Sequence, residues 1–152
     1  MAQALAKAAT EWSFDTLVPI SRDDLIALFK TLDAPTAQEM DGDFISTLPS
    51  YYADEWRASM ARVGKDYWLG KSYSPQPLRG HTGHGLNRYR AASGEVSRQS
   101  RFVWDFGPSI LDGRPSLIMR YAAFDDWGAQ HDLTDEIRVV APGLYIGLAH
   151  TD

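Results

Sequence analysis

Apolar positions recur with two different periods along this chain, and the change of period divides it. Leu25, Leu28, Phe29 and Leu32 stand at i, i+3, i+4 and i+7, the spacing of one helix face, behind a capping box from Ser21 to Asp24. Pro35 ends that helix, and a second capping box, Thr36 to Glu39, predicts one more turn before Gly42. Phe44 to Leu48 is apolar and β-branched and stops at Pro49, which predicts a strand. Helical spacing returns in Tyr52, Trp56, Met60 and Val63, with charged residues between them and Gly64 as a stop; this is an amphipathic helix expected to lie over an opening. From Tyr67 the runs are short: Tyr67 to Tyr73, Gly85 to Ala91, Val96 to Phe106, Ser116 to Phe124, Thr134 to Val140 and Leu144 to Ala149. Ala92-Ser93-Gly94, Asp112-Gly113 and Pro142-Gly143 suit tight reversals between antiparallel neighbours.

These elements predict a mainly β fold of the α+β kind, a small antiparallel β-barrel or strongly curved sheet closed by two or three short N-terminal helices. Strand–helix–strand alternation is absent, which disfavours a doubly wound sheet. A length of 152 residues fits one domain: a tail over 1–16, a helical lead-in and cover over 21–64, and antiparallel strands over 67–152.

Composition narrows the function. The chain has no cysteine, which removes disulfides, thiolate zinc sites, iron–sulfur clusters and thiol nucleophiles. A net charge of −5 opposes nucleic-acid binding. No apolar run is long enough to span a bilayer, and Met1 to Thr10 lacks the apolar stretch of a secretory signal, so a cytoplasmic location without a membrane partner is expected. Nucleophile-elbow, phosphate-loop, dinucleotide and zinc signatures are missing, and neither a cofactor nor a metal is expected. Five Trp, seven Tyr and six Phe suit an aromatic-lined pocket, and equally a core.

Strand alternation sorts the candidate residues by face without saying which face is inward. Phe102, Trp104 and Phe106 share one face of their strand with Ser100, and the aromatic face is taken as the inner one. Leu117, Met119 and Tyr121 oppose Ile118 and Arg120; Asp135 and Ile137 oppose Glu136 and Arg138. Lys71 and Arg120 are either surface cations or inward groups for a ligand anion. Asp135 is either half of an acid pair or a partner for Arg120 or Arg101. Of the four histidines, His84 is the candidate acid/base, entering a strand behind glycines, with Asn87 expected to face the same way and orient a carbonyl. His81 and His84 are three apart in a glycine-rich loop, a poor arrangement for a metal; His131-Asp132 reads as a rim, and His150 is close to the end of the sequence.

Three stretches, LFKTLDAPTAQEMDGDF, YWLGKSY and DEIRVVAPGLYIGLAHTD, resemble a bacterial family of unknown function named for its Gly-x-Trp-x-Gly motif. At the motif itself this chain has Gly42-Asp43-Phe44-Ile45-Ser46, without the Trp and the second Gly. The resemblance implies a calycin-like barrel in which small ligands sit in the lumen, and no particular reaction. Two functions are therefore expected. The first is binding of a small apolar or aromatic metabolite by Trp68, Tyr73, Asn87, Trp104, Tyr121 and Tyr145. The alternative is a cofactor-independent isomerase, lyase or cyclase in the same pocket, with His84 or Asp135 as acid/base and Lys71 and Arg120 stabilising negative charge. The expected partner is a small-molecule ligand; a homodimer is compatible with either function.

Overall fold

The computed structural model of the chain describes residues 11–62, 67–126, 129 and 132–151. Seven strands form one antiparallel sheet in simple chain order: β1 (Gly42–Ile45), β2 (Tyr67–Ser74), β3 (Gly83–Arg90), β4 (Val96–Pro108), β5 (Pro115–Arg120), β6 (Thr134–Ala141) and β7 (Leu144–His150). The sheet curls into a half-barrel, the curved-sheet form of the expected fold. Three helices accompany it, α1 (Phe14–Leu17), α2 (Arg22–Phe29) and α3 (Ser50–Arg62), with a 3-10 turn at Ala37–Glu39.

Local chemistry accounts for these elements. The Ser21 side chain accepts the Asp24 backbone N–H and starts α2, and Thr36 and Glu39 close their capping box around the 3-10 turn. Gly94, Gly113 and Gly143 take positive φ at the three expected reversals. The boundaries differ where a fold-level contact overrides the local pattern. β3 starts at Gly83 rather than Gly85, because Gly83 and His84 already pair with Trp104 and Val103 of β4; a side chain at either glycine would collide with the Trp104 or Phe102 ring packed across it. The fifth strand stops at Arg120 instead of Phe124, since the chain turns with the Phe124 N–H bonded to the Tyr121 carbonyl. Residues 13–16 are not tail. Ser13 and Thr16 form a capping box of their own, and Trp12 and Leu17 pack on the second core. Val63 and Gly64, expected to end α3, lie outside the described residues, as do residues 1–10.

Two apolar clusters occupy opposite faces of the sheet. On the concave face Met40, Tyr73, Phe102, Trp104, Leu117, Met119, Tyr121 and Ile137 pack together. Across it, edge-to-face contacts join Tyr145 to Phe44, Phe44 to Tyr73, Tyr73 to Phe102 and Phe102 to Tyr121, with ring centroids 5.2 to 5.6 Å apart. The Phe44–Tyr145 contact spans the gap between the edge strands β1 and β7. On the convex face of β6 and β7, Leu17, Leu25, Leu28 and Phe29 from the two N-terminal helices cover Val140 and Ile146. Glu136 and Arg138 point to this covered side and are fully buried there. None of the helices among the described residues is long and apolar enough to cross a membrane.

Candidate functional site

The concave face of the sheet and α3 line an open cavity of about 1400 Å³, which runs on past the β7 edge to Phe14 of α1 and Leu25 of α2. β2 sends Lys71 and Tyr73 into it by simple alternation. Trp68 also points inward although it is three residues before Lys71, because a bulge between Trp68 and Gly70 adds a residue and reverses the alternation. Gly70 makes the bulge possible: its φ is +134°, and a Cβ there would lie 2.1 Å from the Phe44 carbonyl oxygen. Asn87 and Tyr89 enter from β3, Tyr121 from the end of β5, Asp135 and Ile137 from β6, and Tyr145 from β7. On the α3 side, the Trp56 ring stands 5.7 Å from that of Trp68.

The floor of the cavity carries one connected polar cluster. Lys71 Nζ donates to Asn87 Oδ1 at 2.9 Å and to Tyr121 Oη at 2.5 Å, and pairs with Asp135 Oδ2 at 2.9 Å. The Tyr121 hydroxyl in turn donates to Asp135 Oδ2 at 2.7 Å. Asn87 Nδ2 donates to the Ser100 carbonyl at 3.0 Å and to Tyr121 Oη at 3.3 Å, and Trp68 Nε1 donates to Asn87 Oδ1 at 3.1 Å. Lys71, Asn87, Tyr121 and Asp135 are all buried. Aromatic rings surround the ammonium, with the Trp68, Phe102 and Tyr121 centroids 5.6, 5.3 and 5.3 Å from Nζ. The Ser100 carbonyl reaches Asn87 from an irregular stretch of β4, where Ser100 has φ +52° and the register with β3 shifts.

Burial, and then the neighbouring Asp135 carboxylate, push the Tyr121 and Tyr73 phenols well above the usual tyrosine range. Burial likewise raises Tyr89, to about 12. All three are therefore neutral donors at pH 7. Their protons are held more tightly in the folded than in the unfolded chain, whose tyrosines titrate near pH 10. The stability they contribute is fully present below that pH and is lost as pH rises through the higher folded values. Alkaline titration followed by phenolate absorbance should show the three buried tyrosines ionising only as the fold is lost, in step with the circular-dichroism change.

The structure thus brings together Lys71, Asp135, Asn87, Tyr121, Trp68, Tyr73 and Tyr145 of the residues singled out from sequence. Three others stand elsewhere. Trp104 is completely buried in the concave core beneath Gly83, its indole N–H donating to the His84 carbonyl, and it does not line the cavity. His84 is three residues from Asn87, an odd separation that puts the two on opposite faces; its imidazole Nδ1 lies 3.0 Å from the Gln76 carbonyl, away from the cavity. Arg120 is on the convex face, half-exposed and 3.6 Å from Asp105. Asp135 pairs with Lys71 rather than with Arg120 or Arg101, since Arg101 pairs with Asp126. His131 lies outside the described residues.

The sequence reading missed Trp56 and Ser100 at the site. It also missed the role of His150, whose Nε2 stands 2.7 Å from the buried Glu136. Among the described residues no group of three His, Cys, Asp or Glu could hold a metal ion. Comparison of the chain with protein-family models, with curated proteins and with solved structures gives no match, so the family resemblance rests on the quoted stretches alone.

Proposed function

We propose that the protein binds a small, largely apolar or aromatic molecule in the cavity between the concave face of the sheet and α3. One observation carries this reading: a connected and buried polar cluster sits at the floor of a cavity whose walls are aromatic rings. Such a combination, an apolar wall with a few convergent polar groups, is the usual make-up of a small-molecule site. The open cleft, about 1400 Å³ with the part that runs on to α1 and α2, is no smaller than the roughly 300–1,000 Å³ of ordinary ligand pockets. It has room for a ligand of several rings.

The acid/base alternative has less support. His84 and Arg120 are outside the cavity, and Lys71 and Tyr121 on its floor are bonded to one another and to Asp135. Binding without turnover is therefore the better reading.

A neutral dye whose emission rises in apolar surroundings, N-phenyl-1-naphthylamine, tests it directly. The expected result is a saturable rise in emission that reaches its plateau at one equivalent. An emission that stays flat, or that climbs linearly without saturation, would overturn the proposal.

A further inference from the structure

The donors and acceptors of the floor cluster do not balance, and the imbalance constrains the ligand. Of its three ammonium hydrogens Lys71 donates two, to Asn87 Oδ1 and Tyr121 Oη, and its charge pairs with Asp135 Oδ2. The single hydroxyl hydrogen of Tyr121 goes to Asp135. Both amide hydrogens of Asn87 are engaged, by the Ser100 carbonyl and by Tyr121. The Trp68 indole N–H is bonded to Asn87. The amide orientation of Asn87 is fixed by this network, because its oxygen receives two groups that can only donate and its nitrogen faces a carbonyl that can only accept. The polar hydrogens of Tyr121, Asn87 and Trp68 are all engaged, and the ammonium is committed to its ion pair with Asp135.

An acceptor is left. Asp135 uses Oδ2 for both Lys71 and Tyr121, and its second carboxylate oxygen, Oδ1, has no hydrogen-bond partner among the described residues. The residue is only 8% exposed and lines the cavity, so whatever reaches Oδ1 comes through the cavity. Tyr73, also on the cavity wall, finds among the described residues one acceptor for its hydroxyl, the Met119 sulfur at 3.4 Å, a weak acceptor that a ligand oxygen would outcompete.

Charge constrains the ligand further. Lys71 and Asp135 cancel, so the floor offers no net attraction to an ion. A carboxylate ligand would meet the charge of Asp135 with only the neutral Tyr73 hydroxyl to offset the repulsion. A cationic ligand would find the place among the Trp68, Phe102 and Tyr121 rings already taken by the protein's own ammonium.

Resting on the reading of the cavity as a ligand site, we infer that its ligand is a neutral aromatic molecule with a hydrogen-bond-donating head, a phenol, alcohol or N–H heterocycle, received by Asp135. Of these, a hydroxyl fits both open groups, donating to Asp135 while accepting from Tyr73.

The test is a calorimetric titration of the full-length chain at pH 7 with four probes sharing one ring system: 2-naphthol, naphthalene, 2-naphthoate and protonated 2-naphthylmethylamine. A hydrogen bond to a charged acceptor in a buried site should make 2-naphthol the tightest by about tenfold or more over each of the others. Naphthalene binding as tightly as 2-naphthol would overturn the inference while leaving the cavity a ligand site. Naphthoate or the amine matching or exceeding 2-naphthol would do the same. If none of the four bound, the ligand-site reading would fall, and this inference with it. Asp135→Asn, checked for fold by circular dichroism, should reduce the advantage of 2-naphthol over naphthalene to within about threefold. If that single variant does not fold, Lys71→Met combined with Asp135→Leu, which removes the charges together, should do the same. An advantage retained in the folded variant would show that Asp135 is not the acceptor.

Discussion

Replacing Arg138 with alanine is expected to destabilise the fold by about 3–5 kcal/mol, the cost of removing one partner from a buried ion pair. Arg138 is fully buried, and all five of its guanidinium hydrogens are engaged. Nε donates to the Pro115 carbonyl, one terminal nitrogen to the Phe29 carbonyl and to Asp112, and the other to Asp112 and the Arg114 carbonyl. The guanidinium also stacks 4.6 Å from the Phe29 ring centroid. A single side chain on β6 therefore ties down the end of α2, the β4–β5 turn and the start of β5. Its bidentate pairing holds the Asp112 carboxyl well below the usual carboxylate range. That contribution is present above the ordinary carboxylate pKa and fades as pH falls toward the folded value, so it operates fully at neutral pH. Equilibrium urea unfolding at pH 7 measures the loss. A midpoint unchanged from wild type would contradict the account of how the N-terminal helices are anchored.

Lys71→Met is expected to cost about 2–3 kcal/mol, somewhat less than a deeply buried pair because the cavity beside Asp135 can admit water. The methionine keeps most of the apolar stem but strips Asp135, Asn87 and Tyr121 of a shared donor. Removing the acid as well, in Lys71→Met with Asp135→Leu, should recover most of the stability, since neither charge is then left without its partner. The comparison separates two roles. If the cluster served stability, the double variant would remain well below wild type; if it serves recognition, the double variant is stable and loses the preference among ligands. Thermal melts of the two variants beside wild type give the answer.

How far the sequence reveals these features depends on how local their causes are. The strands and the three glycine turns were legible because alternation and turn chemistry are written within a few residues, as at Pro142-Gly143. The shared faces of Leu117, Met119 and Tyr121, and of Asp135 and Ile137, followed from the same period of two. Which face turns inward was not legible, because it depends on the curl of the sheet, so Arg120 and Lys71 looked alike in sequence and lie on opposite sides. Trp68 reached the site through a bulge whose only local sign is Gly70. His84 drew attention through its chemistry, although an odd separation from Asn87 already placed it on the other face. Trp12 looked like tail because the core it packs on, with Val140 and Ile146 of β6 and β7, comes more than a hundred residues later.

The central claim, that the cavity receives the ligand, is tested most directly by blocking it. Ala149 on β7 is paired with Asp135 across the strands and is exposed to the cavity, so Ala149→Trp should fill the space over the polar floor without disturbing either apolar core. Titrated with N-phenyl-1-naphthylamine beside wild type, a variant with an unchanged melting temperature should lose the saturable emission, with affinity weakened by about a hundredfold or more, on the order of 3 kcal/mol. If the blocked variant binds the dye as wild type does, the ligand site is elsewhere on the molecule.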